Sequence, residues 1–189
     1  MNKEKNAVLP LSILIIILSL VSFKLPILSL IMPIFYSVLA TLSKKKFIII
    51  YILANTLILT ITMNFEYSIS FMIIYSIPGI FIGSSTKKQT YDKNAVKLEP
   101  IYVGIISTMI SFILLYFVND ILFGIDLVKD FNSILKQSVD SQFKVLDEMN
   151  FEYDKYNITK DFVLSYIINL LPFMIFIQSF FSSFFTYYI

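Results

Sequence analysis

Cysteine, histidine, tryptophan and arginine are all absent from this chain of 189 residues. Without cysteine there is no disulfide and no thiol nucleophile, and without histidine there is no imidazole base. The usual zinc ligands are missing together, so we expect neither a cofactor nor a bound metal. The short motifs of nucleotide binding and of hydrolysis are also absent. We therefore expect no enzymatic activity and no catalytic residues.

Charge is scarce as well. Charged residues make up 15% of the chain, and 15 lysines against 13 acidic residues leave a formal net charge of +2. The lysines are spread along the chain, so the sequence predicts no nucleic-acid partner. The hydrophobic fraction of 57% and the mean hydropathy of +0.79 are too high for a soluble domain of this size. The composition predicts an integral protein of the cell membrane, with the lipid bilayer as its first partner.

Six apolar runs predict an all-α membrane protein, a single domain over residues 1–189 with a bundle of about six transmembrane helices. The runs cover residues 7–23, 25–42, 47–63, 69–85, 101–118 and 162–189. A helix of about 17 residues is about 25 Å long, slightly less than a hydrocarbon core of about 30 Å. The shorter runs should therefore stand nearly upright in the bilayer or use flanking residues.

Both ends of the chain need an interpretation. Lys3 and Lys5 before an apolar run resemble a signal peptide, but no small-residue cleavage site follows. We interpret the first run as a permanent span. The sequence stops inside its sixth apolar run, which leads us to expect the N-terminal part of a longer protein.

Lysine placement predicts the orientation, because cytoplasmic loops carry an excess of basic residues. A cytoplasmic N-terminus puts the three lysines at 44–46 and the four lysines of residues 86–100 on the cytoplasmic side. The loops after the first and third spans are then external, and they hold only Lys24 and Glu66. The opposite orientation would export both lysine groups.

Residues 126–160 form the one sizeable segment outside the membrane. Apolar residues recur there at steps of three and four, as one helical face requires: Val128, Phe131, Leu135, Val139, Phe143, Leu146 and Met149. The pattern predicts an external amphipathic helix. It is either a helix on the surface of the bundle or membrane, or a lid over an outward-facing pocket. Thr159 is expected to be the N-cap of the last helix, with a glycosylation acceptor at Asn157 as the alternative.

Residues 77–88 hold two of the four glycines in the chain. Gly79 and Gly83 lie four residues apart, and Pro78 directly precedes Gly79. Inside a bilayer, this spacing lets a second helix backbone approach closely. Pro78 leaves one backbone carbonyl without its helical donor, so neighbouring helices must satisfy it. We therefore expect a close helix–helix contact at these three residues.

Small and polar residues form one stripe on each span. Helix packing in membranes requires such stripes. The alternative is that Asn55, Asn169 and Gln178 line a cavity. Asp120 interrupts the fifth apolar run, and a carboxylate at membrane depth is by default a functional hypothesis. The alternative for Asp120 is that the span ends at Val118 and the carboxylate lies among the headgroups.

These residues predict a small-molecule pocket toward the external half of the bundle, with Asp120 and Asn169 on its wall. Asn55 and Lys24 are further candidates. Pro172 leaves the carbonyl of Ile168 without its helical donor, beside the Asn169 amide. Lys24 would neutralise Asp120 or an anionic ligand. In the competing account Asn169 bonds a neighbouring helix and Asp120 is solvated.

Three features together resemble a known family. The helix with Pro78, Gly79 and Gly83 ends in a lysine pair, and an acidic amphipathic stretch over residues 133–148 follows the fifth run. The last run carries Leu-Leu-Pro at 170–172 and ends in aromatic residues. In these features the chain resembles the YybS-like membrane proteins, a family of unknown function.

The resemblance implies a distant similarity in fold to the substrate-binding S components of energy-coupling-factor transporters. It therefore implies a helical bundle with a small-molecule pocket on the external side. S components dock their transport partner through an alanine-x-x-x-alanine pattern in the first helix. Residues 9–23 of this chain contain no such pair.

Two functions of different classes follow. The first is an S-component-like protein that binds or transports a small solute without chemistry of its own. The second is a structural or assembly protein that engages a membrane-protein partner through its external acidic helix. The two differ in whether the polar stripes enclose a cavity.

Overall fold

The computed structural model describes residues 2–91, 96–149, 151 and 159–188, and all regular structure in them is helical. The all-α prediction is confirmed for these residues. In chain order the elements are α1 (Asn2–Ser22), a 3-10 turn (Pro26–Ile31), α2 (Met32–Leu42), α3 (Lys45–Thr62), α4 (Phe65–Phe71), a π-turn (Met72–Ser76), α5 (Ile77–Tyr91), α6 (Glu99–Val118), a second π-turn (Asn119–Phe123), α7 (Leu127–Glu148) and α8 (Lys160–Tyr188).

Four helices in the described part of the chain are long and apolar enough to cross a membrane: Lys45–Thr62, Phe65–Tyr91, Glu99–Phe123 and Lys160–Tyr188. They correspond to the third to sixth predicted spans. The first two predicted spans appear as shorter apolar stretches, Val8–Ser22 within α1 and Ile27–Leu42 across the 3-10 turn and α2. In the second stretch, a proline stands near the start of each helical segment.

Contacts between the ends of neighbouring helices mark the two ends of the bundle. At one end, Lys87 Nζ donates to the backbone oxygen of Ser43 at 2.7 Å, which joins the ends of α2 and α5. At the other end, the Phe65 and Phe123 rings lie 5.9 Å apart between their centroids. We call these the lysine end and the α7 end.

The closest helix contact lies between α2 and α5. A Cβ atom on Gly79 would lie 2.5 Å from the Pro33 carbonyl oxygen, and one on Gly83 would overlap the Ser37 carbonyl oxygen. Thr41 Oγ1 also contacts the Gly83 carbonyl oxygen at 3.2 Å. The two backbones can come this near only because neither glycine carries a side chain.

A similar contact joins α6 to the C-terminal half of α8. A Cβ atom on Gly104 would lie 2.5 Å from Ser183 Oγ. Ser179, Ser183 and Thr186 are buried in α8, as the packing interpretation of its polar stripe requires. Ser165, Asn169 and Pro172, further toward the N-terminus of α8, are exposed. Packing therefore accounts for only one half of this stripe.

Pro78 explains the π-turn between α4 and α5. Proline has no backbone N–H, so the carbonyl of Ile74, four residues earlier, lacks its helical donor, and the proline ring crowds it. The turn at Met72–Ser76 inserts one extra residue at this point. Phe65–Tyr91 continues through it as one helix, while Pro78 itself is buried.

Helix α7 confirms the predicted amphipathic helix, although only Val139 and Phe143 on it are buried. It packs against the start of α8, where Lys160 Nζ donates to Asp140 Oδ1 at 2.8 Å. Thr159 accepts a hydrogen bond from the backbone N–H of Phe162 at 3.1 Å, which confirms it as the N-cap of α8. The alternative glycosylation acceptor, Asn157, and Lys93 of the four-lysine loop lie outside the described residues.

Docking of α7 should weaken in acid. The hydrogen bond from Lys160 lowers the pKa of the Asp140 carboxyl below its ordinary value of 3.8. Because the folded-state pKa is the lower one, this contact stabilises the docked helix above the ordinary pKa and is lost as pH falls through the folded-state pKa. Amide protection factors in α7 should therefore hold from about pH 7 to about pH 5 and fall as the pH drops below about 4. Asp140→Asn should lower protection at neutral pH and reduce its dependence on pH, whereas Asp130→Asn, also on α7, should behave as the parent. Identical pH profiles for Asp140→Asn and the parent would contradict this role.

Candidate functional site

Asn55 lies at the centre of a buried polar cluster. Its Nδ2 donates to the Tyr36 hydroxyl at 2.5 Å and to Ser19 Oγ at 3.2 Å, and it lies 3.9 Å from Met72 Sδ. The Tyr36 hydroxyl also contacts Met72 Sδ at 3.4 Å. Asn55 and Tyr36 are each 1% exposed, and Ser19 Oγ also donates to the Ile15 carbonyl oxygen at 2.7 Å. We call these four residues the Asn55 cluster.

The Asn55 cluster joins four elements. Ser19 comes from α1, Tyr36 from α2, Asn55 from α3, and Met72 begins the first π-turn. Helix α3 buries only two other residues, Ile48 and Leu59. Tyr51 and Ile52 are partly buried against the core, so the amide supplies the polar connection of a helix whose other contacts are mostly apolar. Its Oδ1 is buried and has no hydrogen-bond partner among the described residues.

A separate cleft of about 380 Å³ lies between the 3-10 turn, α2, the first π-turn, α6 and α8. We call it the membrane cleft. Its walls are mostly apolar, with leucine, isoleucine, proline and phenylalanine side chains. Its polar groups are few: Tyr75, Thr108, Gln178, Ser182 and Thr186.

The polar groups of the membrane cleft differ in what they can still bind. Thr108 Oγ1 already donates to the Gly104 carbonyl oxygen at 2.8 Å. The Gln178 side chain is exposed and its amide has no hydrogen-bond partner among the described residues, so it provides both a donor and an acceptor. No lysine and no carboxylate lines this cleft. Chemically, the arrangement can hold an uncharged molecule that is apolar over most of its surface and meets one amide.

The sequence-predicted pocket residues lie in different surroundings. Gln178 does line the membrane cleft. Asn55 is buried in its own cluster instead, and none of Lys24, Asp120 and Asn169 lines the membrane cleft. The side chains of these three residues are exposed. The structure thus does not gather the four candidate pocket residues around this cleft.

The helix that carries Asp120 extends past the fifth apolar run. The helix does not end at Val118, because the second π-turn continues it to Phe123. Asn119 takes the interior position, 3% exposed, and its Nδ2 donates to the Leu115 carbonyl oxygen at 2.9 Å. Asp120, the next residue, faces outward.

Sequence reasoning missed Tyr75 and Ser182 as cleft residues. Tyr75 lies within an apolar run, and its position on the wall depends on the π-turn before Pro78. Pro78 was a signal of local irregularity, but it does not reveal which side chain turns toward a cavity. Ser182 is next to Ser183 in sequence, but Ser183 packs against Gly104 of α6 whereas Ser182 lines the cleft. Only the way α8 packs in the bundle distinguishes the two serines.

Comparison with known proteins supports the membrane assignment. No curated protein and no solved structure matches the chain. The family model described as "Predicted membrane protein (DUF2232)" matches residues 12–189. This match includes all four long apolar helices as well as α7. The chain therefore belongs to the DUF2232 family of predicted membrane proteins.

Proposed function

We propose that this family member is an S-component-like protein of the cell membrane that binds or moves a small, uncharged, largely apolar solute in the membrane cleft. The single observation that carries the proposal is the cleft itself, bounded by five helical segments and lined in part by the Gln178 amide. Binding needs no chemistry by the chain, so we assign no catalytic step.

The size and lining of the cleft support a small-molecule occupant. Its volume of about 380 Å³ falls within the usual range for ligand sites, about 300–1,000 Å³. Such sites are mostly apolar with a few polar groups that set orientation. A charged ligand is disfavoured, because no charged group of opposite sign lines the cleft and burying an unpaired charge is costly.

The resemblance to YybS-like proteins adds a second line of support, since it implies a bundle of the S-component kind. The solute site proposed here differs from the one the sequence predicts, because it uses Gln178 rather than Asp120 and Asn169.

Filling the membrane cleft should abolish solute binding. In Ser182→Phe the added ring would occupy space beside Gln178. Ser165→Phe is the matched control, since Ser165 is an exposed serine on the same helix that does not line the cleft. A thermal-shift screen of uncharged metabolites should find compounds that stabilise the parent and Ser165→Phe but not Ser182→Phe. Stabilisation of Ser182→Phe by the same compounds to the same extent would contradict the proposal.

The second candidate function is a structural or assembly role through α7. Val128 and Phe131 on its apolar face are 53% and 40% exposed, so this part of the helix could meet another membrane protein. A photoreactive residue at position 131 should then crosslink to one discrete protein in cells, whereas the same residue at Lys136, on the charged face, should not. Crosslinking of position 131 to lipid alone would remove this candidate.

We also propose six membrane-crossing segments with the N-terminus and the lysine end in the cytoplasm. The native chain lacks cysteine, so a single introduced cysteine can be labelled without background. In intact cells, a membrane-impermeant maleimide should label Ser141→Cys and spare Lys45→Cys until the membrane is permeabilised. Both positions are exposed, so access to the side chain does not bias the comparison. The opposite labelling pattern would reverse the orientation.

A further inference from the structure

A second cleft, of about 350 Å³, lies at the α7 end between α1, the 3-10 turn, α4 and the first π-turn. We call it the aromatic cleft. It shares Ile74 and Tyr75 with the membrane cleft, so the same two side chains form part of the wall of both. Both residues belong to the π-turn that Pro78 produces.

A row of aromatic rings lines the aromatic cleft. The ring centroids of Phe23 and Tyr67 lie 5.3 Å apart, those of Tyr67 and Phe71 5.7 Å, and those of Phe71 and Tyr75 4.8 Å. These separations are typical of favourable aromatic pairs. A flat aromatic molecule could extend this row by stacking or by an edge-to-face contact.

The cleft also offers hydrogen-bond donors that the protein does not use. Ser70 Oγ accepts a hydrogen bond from Asn119 Nδ2 at 3.4 Å, but its own hydrogen has no acceptor among the described residues. The Tyr75 hydroxyl has no hydrogen-bond partner among them either. No lysine and no carboxylate lines the cleft, so an ion would lose its hydration without a counter-charge.

We propose that the aromatic cleft is a second binding site, specific for an uncharged aromatic compound that carries a hydrogen-bond acceptor such as a ring carbonyl. The rings of Phe23, Tyr67 and Phe71 supply the contact area, and the Ser70 and Tyr75 hydroxyls donate to the acceptor. The site goes beyond the proposed function, because it requires nothing of Gln178 and of the membrane cleft shares only Ile74 and Tyr75.

The absence of tryptophan allows a direct test with the full chain in nanodiscs. Phe23→Trp introduces one fluorophore into the aromatic cleft, and Phe47→Trp introduces one at the lysine end. The parent phenylalanines are 48% and 42% exposed, so the two reporters should meet the lipid phase to a similar extent. The probe is 1,4-naphthoquinone, an uncharged planar molecule with two carbonyl acceptors that quenches tryptophan fluorescence.

Quenching of Phe23→Trp should saturate with probe concentration, whereas quenching of Phe47→Trp should rise linearly, as expected for partitioning into lipid. Adding Ser70→Ala and Tyr75→Phe to Phe23→Trp should weaken the saturable phase about tenfold, because two hydrogen bonds are lost. Both changes are conservative, so the melting temperature should stay near that of the single variant. Linear quenching of both reporters with equal slopes would overturn the site, and an unchanged saturable phase in the triple variant would overturn the role of the two hydroxyls.

A third reporter separates this inference from the proposed function. Phe112 lines the membrane cleft and not the aromatic cleft. Saturable quenching of Phe23→Trp supports the second site whatever happens at Phe112→Trp. Saturable quenching of Phe112→Trp together with linear quenching of Phe23→Trp would contradict the second site and leave the membrane cleft standing.

Discussion

The Gly83→Leu variant should lose about 1–3 kcal/mol of stability, the usual range for overpacking a well-packed contact. A Cβ atom at this position would overlap the Ser37 carbonyl oxygen, which belongs to a helix backbone and cannot move aside as a side chain can. The leucine must therefore push α2 and α5 apart, and the hydrogen bond from Thr41 to the Gly83 carbonyl should be lost with the contact.

Thermal unfolding in detergent measures this effect. Ser84→Leu is the matched control, because it adds the same side chain at the next residue of α5, which is exposed. The control should melt close to the parent, whereas Gly83→Leu should melt clearly below it. Equal melting of Gly83→Leu and the parent would mean that the two helices do not meet at this glycine.

The Asn55→Leu variant should lose about 1–2 kcal/mol, since hydrogen bonds between membrane helices contribute up to about that much. The substitution leaves the Tyr36 hydroxyl and Ser19 Oγ without the amide that joins them. Because α3 buries so little else, its attachment to the bundle should weaken more than that of any other part. Local amide exchange in α3 should therefore rise before global melting changes.

Thr62→Leu is the control for this prediction. Thr62 lies near the end of the same helix, is exposed, and bonds only to backbone carbonyl oxygens of its own helix. Amide exchange in α3 and the melting temperature of Thr62→Leu should match those of the parent. If Asn55→Leu matches Thr62→Leu in both measurements, the Asn55 cluster does not hold α3 in place.

Much of the helix packing was predictable from local sequence. The glycine pair after Pro78 predicted a close contact, and the structure has the α2 backbone at that position. The serine and threonine stripes of α6 and of the C-terminal half of α8 also meet each other. Residue size and helical period alone carry this information, because small residues are where two helices in a membrane can approach.

The number of spans follows less directly from hydropathy. The last four apolar runs form helices long and apolar enough to cross a membrane, whereas residues 25–42 contain a shorter apolar stretch, Ile27–Leu42. A proline stands near the start of each of its two helical segments, and hydropathy alone does not register this. Six spans therefore stay a prediction.

The candidate site was the least predictable feature. Polar residues in apolar runs identified Asn55, Asn169 and Gln178 equally well, yet only Gln178 lines the membrane cleft. The difference arises from which helices pack against each residue: Asn55 meets three other helical segments, and Asn169 meets none that buries it. Which helices pack against a residue is decided by the tertiary structure, so the pattern of residues within one helix does not reveal it.

The most direct test of the membrane cleft is native mass spectrometry of the purified protein released from detergent. The parent and Ser165→Phe should carry a bound non-lipid molecule of a few hundred daltons, and Ser182→Phe should lack it. Melting curves of the three proteins should be measured alongside, so that loss of the molecule is compared among folded proteins. Finding only phospholipid or detergent on all three proteins would contradict the account.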